Sequence, residues 1–151
     1  MTYDLYIGDR TFSSWSLRGW LMLEKFNLPH RTHLVGLYAG TMAEEMATLA
    51  PARLVPTLRL PDGKVVGETL AMAETLHEQN PDAGLWPTNP VARATARWLS
   101  AAMTAGFPSL RDECPMQLAH VFSDFKVSEA VRSDLARIED ALGACAQHSN
   151  N

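Results

Sequence analysis

At 151 residues, 46% of them apolar and 20% charged, the chain has room for one ordinary domain or two small ones sharing an interface. Its formal net charge of −4 argues against nucleic acid or an anionic membrane as the main partner. No run reaches the ~18 uncharged apolar residues that span a bilayer. The N-terminus shows neither a basic nor an apolar leader segment. Cys114 and Cys145 form no CxxC pair, so neither a disulfide framework nor a structural zinc site is expected, and the chain reads as cytosolic.

In chain order, Tyr3 to Ile7 alternates, with Tyr3, Leu5 and Ile7 on one side and Asp4 and Tyr6 on the other. That predicts a strand. The serines of Ser13-Ser14-Trp15-Ser16 suit a helix N-terminus. Trp15, Leu17, Trp20, Leu21, Leu23 and Phe26 follow at helical spacing with a wide apolar face, until Asn27 and Pro29 stop the helix. His30 to Val35 reads as a second strand, parallel to the first because a helix separates them. Thr41 to Leu49 is a short helix, capped by Thr41 and ended by Pro51.

Asp62-Gly63 predicts a type I′ hairpin turn, pairing Thr57–Leu60 with Lys64–Val66. Pro56 fits the start of the first of these strands. A third helix runs from Glu68 to Gln79, with Leu70, Met72, Ala73 and Leu76 inward. The order β-α-β-α-β-β-α over residues 1–80 is the pattern of a thioredoxin-like domain of the α/β class. Residues 81–87, with Gly84-Leu85-Trp86-Pro87, read as a linker. From 88 to 151 no strand is expected. One helix starts at Thr88 or Asn89 and reaches Gly106. Residues 109–126 are ambiguous around Pro115. A last helix begins near Ser128 with an apolar stripe of Val131, Leu135, Ile138, Leu142 and Cys145. The second domain is therefore all-helical.

Three places carry candidate chemistry. Ser13 and its neighbours stand where a thioredoxin-type redox pair would lie. A hydroxyl at a helix start can donate to a bound thiolate and lower its pKa; it is equally a plain N-cap, worth ~1 kcal/mol. Val55-Pro56, if cis, turns the Val55 backbone outward to pair with a ligand as an added strand; a trans edge proline is the alternative. Glu68-Thr69 can grip an amine and a carboxylate together, or simply begin a helix. Histidines 30, 33, 77, 120 and 148 show no metal-ligand spacing, so no metal is expected. Neither a Ser/His/Asp nucleophile motif nor a phosphate-binding glycine loop is present.

Taken in order, Ser13-Ser14-Trp15-Ser16-Leu17-Arg18, Ala50-Pro51 with Val55-Pro56-Thr57-Leu58, and Glu68-Thr69-Leu70-Ala71 resemble the cytosolic glutathione S-transferases. The serine cluster with its arginine, and Leu85-Trp86-Pro87 before Pro90 and Arg93, resemble the zeta-like (maleylacetoacetate isomerase-like) branch. The resemblance implies that glutathione is substrate or cofactor and that Ser13 activates its thiol beside Ser14 and Trp15. It also implies that Val55 pairs with the cysteinyl unit before a cis Pro56, and that Glu68 and Thr69 grip the γ-glutamyl end. A small electrophile and a homodimer are implied as well. Leu54 departs from the polar residue of many relatives, which leaves the holder of the glycyl end open. Thr69 replaces a commoner serine and keeps the hydroxyl. The family's helical domain has more helices than this chain has room for, so the C-terminal domain is expected to be incomplete. A transferase or isomerase is one reading; a glutathione-binding or protein-interaction module with little catalysis is the other.

Overall fold

The computed structural model describes residues 1–148. It divides into two compact units, Met1–Leu85 and a second from Trp86 onward.

The first unit is built on a four-stranded mixed sheet in the order β2-β1-β3-β4. Strand β1 (Tyr3–Ile7) pairs in parallel with β2 (His30–Leu34) and antiparallel with β3 (Thr57–Arg59), which pairs antiparallel with β4 (Val65–Gly67). Three helices complete the unit: α1 (Ser14–Glu24), α2 (Met42–Met46) and α3 (Thr69–Gln79). The predicted β-α-β-α-β-β-α order is therefore observed.

The alternation of β1 sorts its side chains onto two faces. Tyr3, Leu5 and Ile7 join Leu23, Leu28, Leu58, Leu60, Met72 and Leu76 in the main core. On the other face, Val35, Met46 and Leu49 form a smaller core with Tyr6, Val55 and Val65 packed against it. Burial of these apolar side chains is what holds both helical layers to the sheet.

Four local expectations are corrected. The centre of the buried face of α1 is small, Ser16 and Gly19, with Leu23 the large residue wholly inside and Leu21 exposed. A Cβ on Gly19 would lie 2.5 Å from Cβ of Pro56, so the helix crosses too close to that proline for a larger residue. The hairpin turn is not type I′: Gly63 alone takes a positive φ, of 87°, and the Gly63 N–H donates to the Leu60 carbonyl at 2.9 Å. With Pro61 second in the turn, this is the three-residue loop in which glycine supplies the left-handed position. Thr41 occupies the N-cap of α2 but its side chain caps nothing; its hydroxyl donates to the Glu45 carboxylate, which also accepts from the Gly36 N–H. The helix itself ends at Met46, and Ala47–Leu49 tightens into a 3-10 turn.

The second unit is helical: α4 (Pro90–Ala105), α5 (Pro108–Glu113) and α6 (Glu129–His148). Asn89 caps α4, its side chain accepting from the N–H groups of Val91 and Ala92, with Pro90 in the first turn. Gly106-Phe107 breaks the chain between α4 and α5. The Arg111 guanidinium satisfies the Met103 and Gly106 carbonyls there, and the buried Asp134 accepts from the Leu110 N–H at 3.1 Å. Residues 114–128 form neither helix nor strand. Of the expected α6 stripe only Val131 is fully buried; Leu135 and Leu142 are exposed. The final Ser149 to Asn151 lie outside the described residues.

Candidate functional site

The sheet register gathers the three candidate stretches at one end of the first unit. Tyr6 is opposite Thr57, and Thr57 is opposite Gly67. The chain leaving β1 toward Ser13, the chain entering β3 through Val55-Pro56, and the chain leaving β4 into Glu68-Thr69 are therefore neighbours.

Ser13 is the N-cap of α1, buried at 7% exposure. Its Oγ accepts from the Ser16 N–H at 3.2 Å. Among the described residues its hydroxyl proton has no acceptor, so the O–H is left to donate to a ligand, at the positive end of the helix dipole. Ser14 opens the helix and is half-buried. Trp15, also half-buried, lies beneath the Arg18 guanidinium at 4.4 Å from its ring centroid.

The Val55–Pro56 bond is cis, as the resemblance implies; the Ala50–Pro51 bond is cis as well, which the sequence reading did not anticipate. Pro56 is buried and Val55 half-buried. Among the described residues the Val55 N–H and C=O make no hydrogen bond. The Thr57 hydroxyl, wholly buried, donates to the Leu54 carbonyl at 2.7 Å and pins the loop just before it.

Glu68 is exposed and sits at φ 62°, ψ 124°, a backbone position that non-glycine residues rarely take. It is the N-cap of α3, yet its side chain makes no capping bond, so the first amides of α3 are left for an anion. Thr69 follows, buried at the first helical position.

Sequence reasoning passed over Asp9 and Gly19. The Asp9 carboxylate accepts from the N–H groups of Thr11 and Phe12 at 2.6 and 2.8 Å and shapes the loop that delivers Ser13; an Asp two and three residues before free amides is the signal that could have found it. Gly19 carries no local signal, because its neighbour Pro56 is distant in sequence. Among the described residues no group of three or more His, Cys, Asp or Glu side chains could hold a metal ion, and no helix is long and apolar enough to cross a membrane.

Residues 12–79 match the family described as glutathione S-transferase, N-terminal domain. Over that stretch the first unit is similar to a glutathione S-transferase N-terminal domain. A "Probable maleylacetoacetate isomerase" of Caenorhabditis elegans is 34% identical over 114 residues, which is 76% of this chain and 52% of that protein. A glutathione transferase homologue from Burkholderia, solved with bound glutathione, is 27% identical with a TM-score of 0.60, covering 74% of this chain and 58% of that one. The fold also matches an unclassified glutathione S-transferase of Bombyx mori, with a TM-score of 0.72 at 20% identity over 95% of this chain and 68% of that one. The chain spans about half the length of the curated relatives it matches. The first unit thus has a thioredoxin-like fold similar to that of these transferases, followed by helices.

Proposed function

We propose that the first unit binds glutathione and that the Ser13 hydroxyl stabilises its thiolate for attack on a small electrophile. In a maleylacetoacetate-type isomerisation the same thiolate adds and then departs, regenerating glutathione. The observation that carries this reading is the state of the Ser13 Oγ. Its acceptor side is occupied by the Ser16 N–H, and its proton is uncommitted among the described residues. A hydroxyl so held donates far more strongly to the thiolate than to the thiol, a weak acceptor, so it favours the charged, nucleophilic form. Val55 offers an open backbone N–H and C=O to the cysteinyl unit, while Glu68 and the start of α3 offer a carboxylate and free amides to the two charges of the γ-glutamyl end. The names of the relatives and the glutathione bound in the Burkholderia homologue support the same ligand. The working species in this reading is a homodimer.

Turnover of glutathione with a chromogenic aryl halide tests the proposal. Ser13→Ala is expected to lower kcat/KM at least tenfold, and Glu68→Ala to weaken glutathione binding by roughly 1.5–3 kcal/mol, the range for a hydrogen bond to a charged group. Parent-like turnover in Ser13→Ala would remove the mechanism, and parent-like affinity in Glu68→Ala, by calorimetry, would remove Glu68 from the site. Binding without turnover in the parent chain would leave a glutathione-binding module.

A further inference from the structure

Ser16 is wholly buried, at 0% exposure, so it does not itself meet a ligand. It nevertheless joins the end of β1 to the candidate hydroxyl through two hydrogen bonds. The Gly8 N–H donates to its Oγ at 3.0 Å, across the whole β1–α1 loop. Its own N–H donates to the Ser13 Oγ at 3.2 Å. Capping α1 needs only the second of these bonds. The first does something else: it fastens the first turn of the helix to the sheet. Asp9 stiffens the rest of that loop by accepting from Thr11 and Phe12. A serine oxygen has one proton and two acceptor sites. With one acceptor site held by Ser16 and the helix start held by Gly8, the direction of the Ser13 O–H is narrowed.

We infer that Ser16 is a positioning residue, fixing the first turn of α1 against the end of β1 so that the Ser13 hydroxyl keeps one aim toward a bound thiol. This rests on the glutathione reading above. Ser16→Ala in the full chain keeps the N–H that caps with Ser13 and removes only the acceptor for Gly8. Affinity for S-methylglutathione, which has no ionisable thiol, is expected to stay within about twofold, because that ligand draws on Val55, Glu68 and Thr69. The ultraviolet thiolate band of bound glutathione, titrated with pH, is expected to move alkaline by about half a unit to one unit, with turnover near neutrality falling about three- to tenfold. Ser16→Cys, whose sulfur is a weak acceptor, is expected to recover part of that shift.

An unchanged thiolate titration and pH profile in Ser16→Ala would overturn the inference while leaving the proposed function standing. A parent chain that neither binds glutathione nor shows a thiolate titration would overturn both. Should Ser16→Ala fail to fold, amide exchange in the unaltered chain decides the matter. A Gly8 amide protected like those of β1 supports the tie, and one exchanging as fast as an open loop overturns it.

Discussion

Asp4 gathers two guanidinium groups and an imidazole on one nearly buried carboxylate. Its Oδ1 accepts from Arg31 Nε at 2.9 Å and from His33 Nε2 at 2.8 Å, and its Oδ2 from Arg59 Nη2 at 3.3 Å. These bonds, that of His33 foremost, hold its carboxyl well below the usual value of 3.8, at about 2, against the opposing effect of burial. A carboxyl lowered on folding contributes stability that is fully present above its unfolded value and is lost as pH falls through its folded one. The first unit is therefore expected to lose about 1–2 kcal/mol between roughly pH 4 and pH 2 through this group, a figure reduced for the solvent around the exposed Arg31. Asp4→Asn should remove most of that acid dependence and lower stability at neutral pH; equal acid slopes in urea melts of the two proteins would count against it. None of this cluster was legible in the sequence. Alternation alone puts Asp4 on the face away from Leu5, but Arg31, His33 and Arg59 reach it only through a strand register that links residues 27 to 55 positions apart. A serine N-cap at Ser13 or Ser14, by contrast, is legible, because capping is a local bond within three residues, and the bond from the Ser16 N–H falls on Ser13.

Between elements, the contact of α1 with the Val55-Pro56 stretch governs the site. Gly19 lies against Pro56 so closely that a methyl group would overlap the ring, 2.5 Å from its Cβ and 2.9 Å from its Cγ. Pro56 is buried and leads directly into β3, so it has little room to retreat. Gly19→Ala should destabilise the first unit by about 1–3 kcal/mol, the usual range for overpacking. Because the displaced proline carries Val55 with it, glutathione affinity should fall too, although Gly19 itself does not belong to the proposed binding set. Chemical denaturation and calorimetry on the same preparation check both halves; lost stability with unchanged affinity would show that Val55 does not depend on this contact. The element order, the hairpin and a cap of α4 at Thr88 or Asn89 are readable from local patterns. The type of hairpin turn was not, since the Asp-Gly pair served a three-residue loop begun by Pro61. The face of α1 also misled, because apolar periodicity reports which residues can be buried and not how near the neighbouring layer comes.

At the scale of the whole molecule, the two units divide their apolar surface differently. The first wraps its strands in two cores. The second leaves Trp98, Leu135 and Leu142 exposed on α4 and α6, and Leu118, Val121, Phe122 and Phe125 exposed in the segment between α5 and α6. Exposed apolar surface on this scale favours association, in keeping with the proposed homodimer. Analytical ultracentrifugation at micromolar concentration is expected to give a mass about twice the 16.7 kDa of the chain; a single species at the chain mass would rule the dimer out. The ionic cluster around Asp4 has a last consequence, for folding fidelity. A strand slipped by one residue exchanges its two faces entirely. Moved one place, β1 would press Asp4 among Leu23, Leu58, Met72 and Leu76 with no cation to meet it, and would turn Leu5 toward Arg31 and Arg59. A buried, unpaired carboxylate is among the costliest errors a sheet can make, so the charge that steadies the native pairing also rejects its nearest competitor.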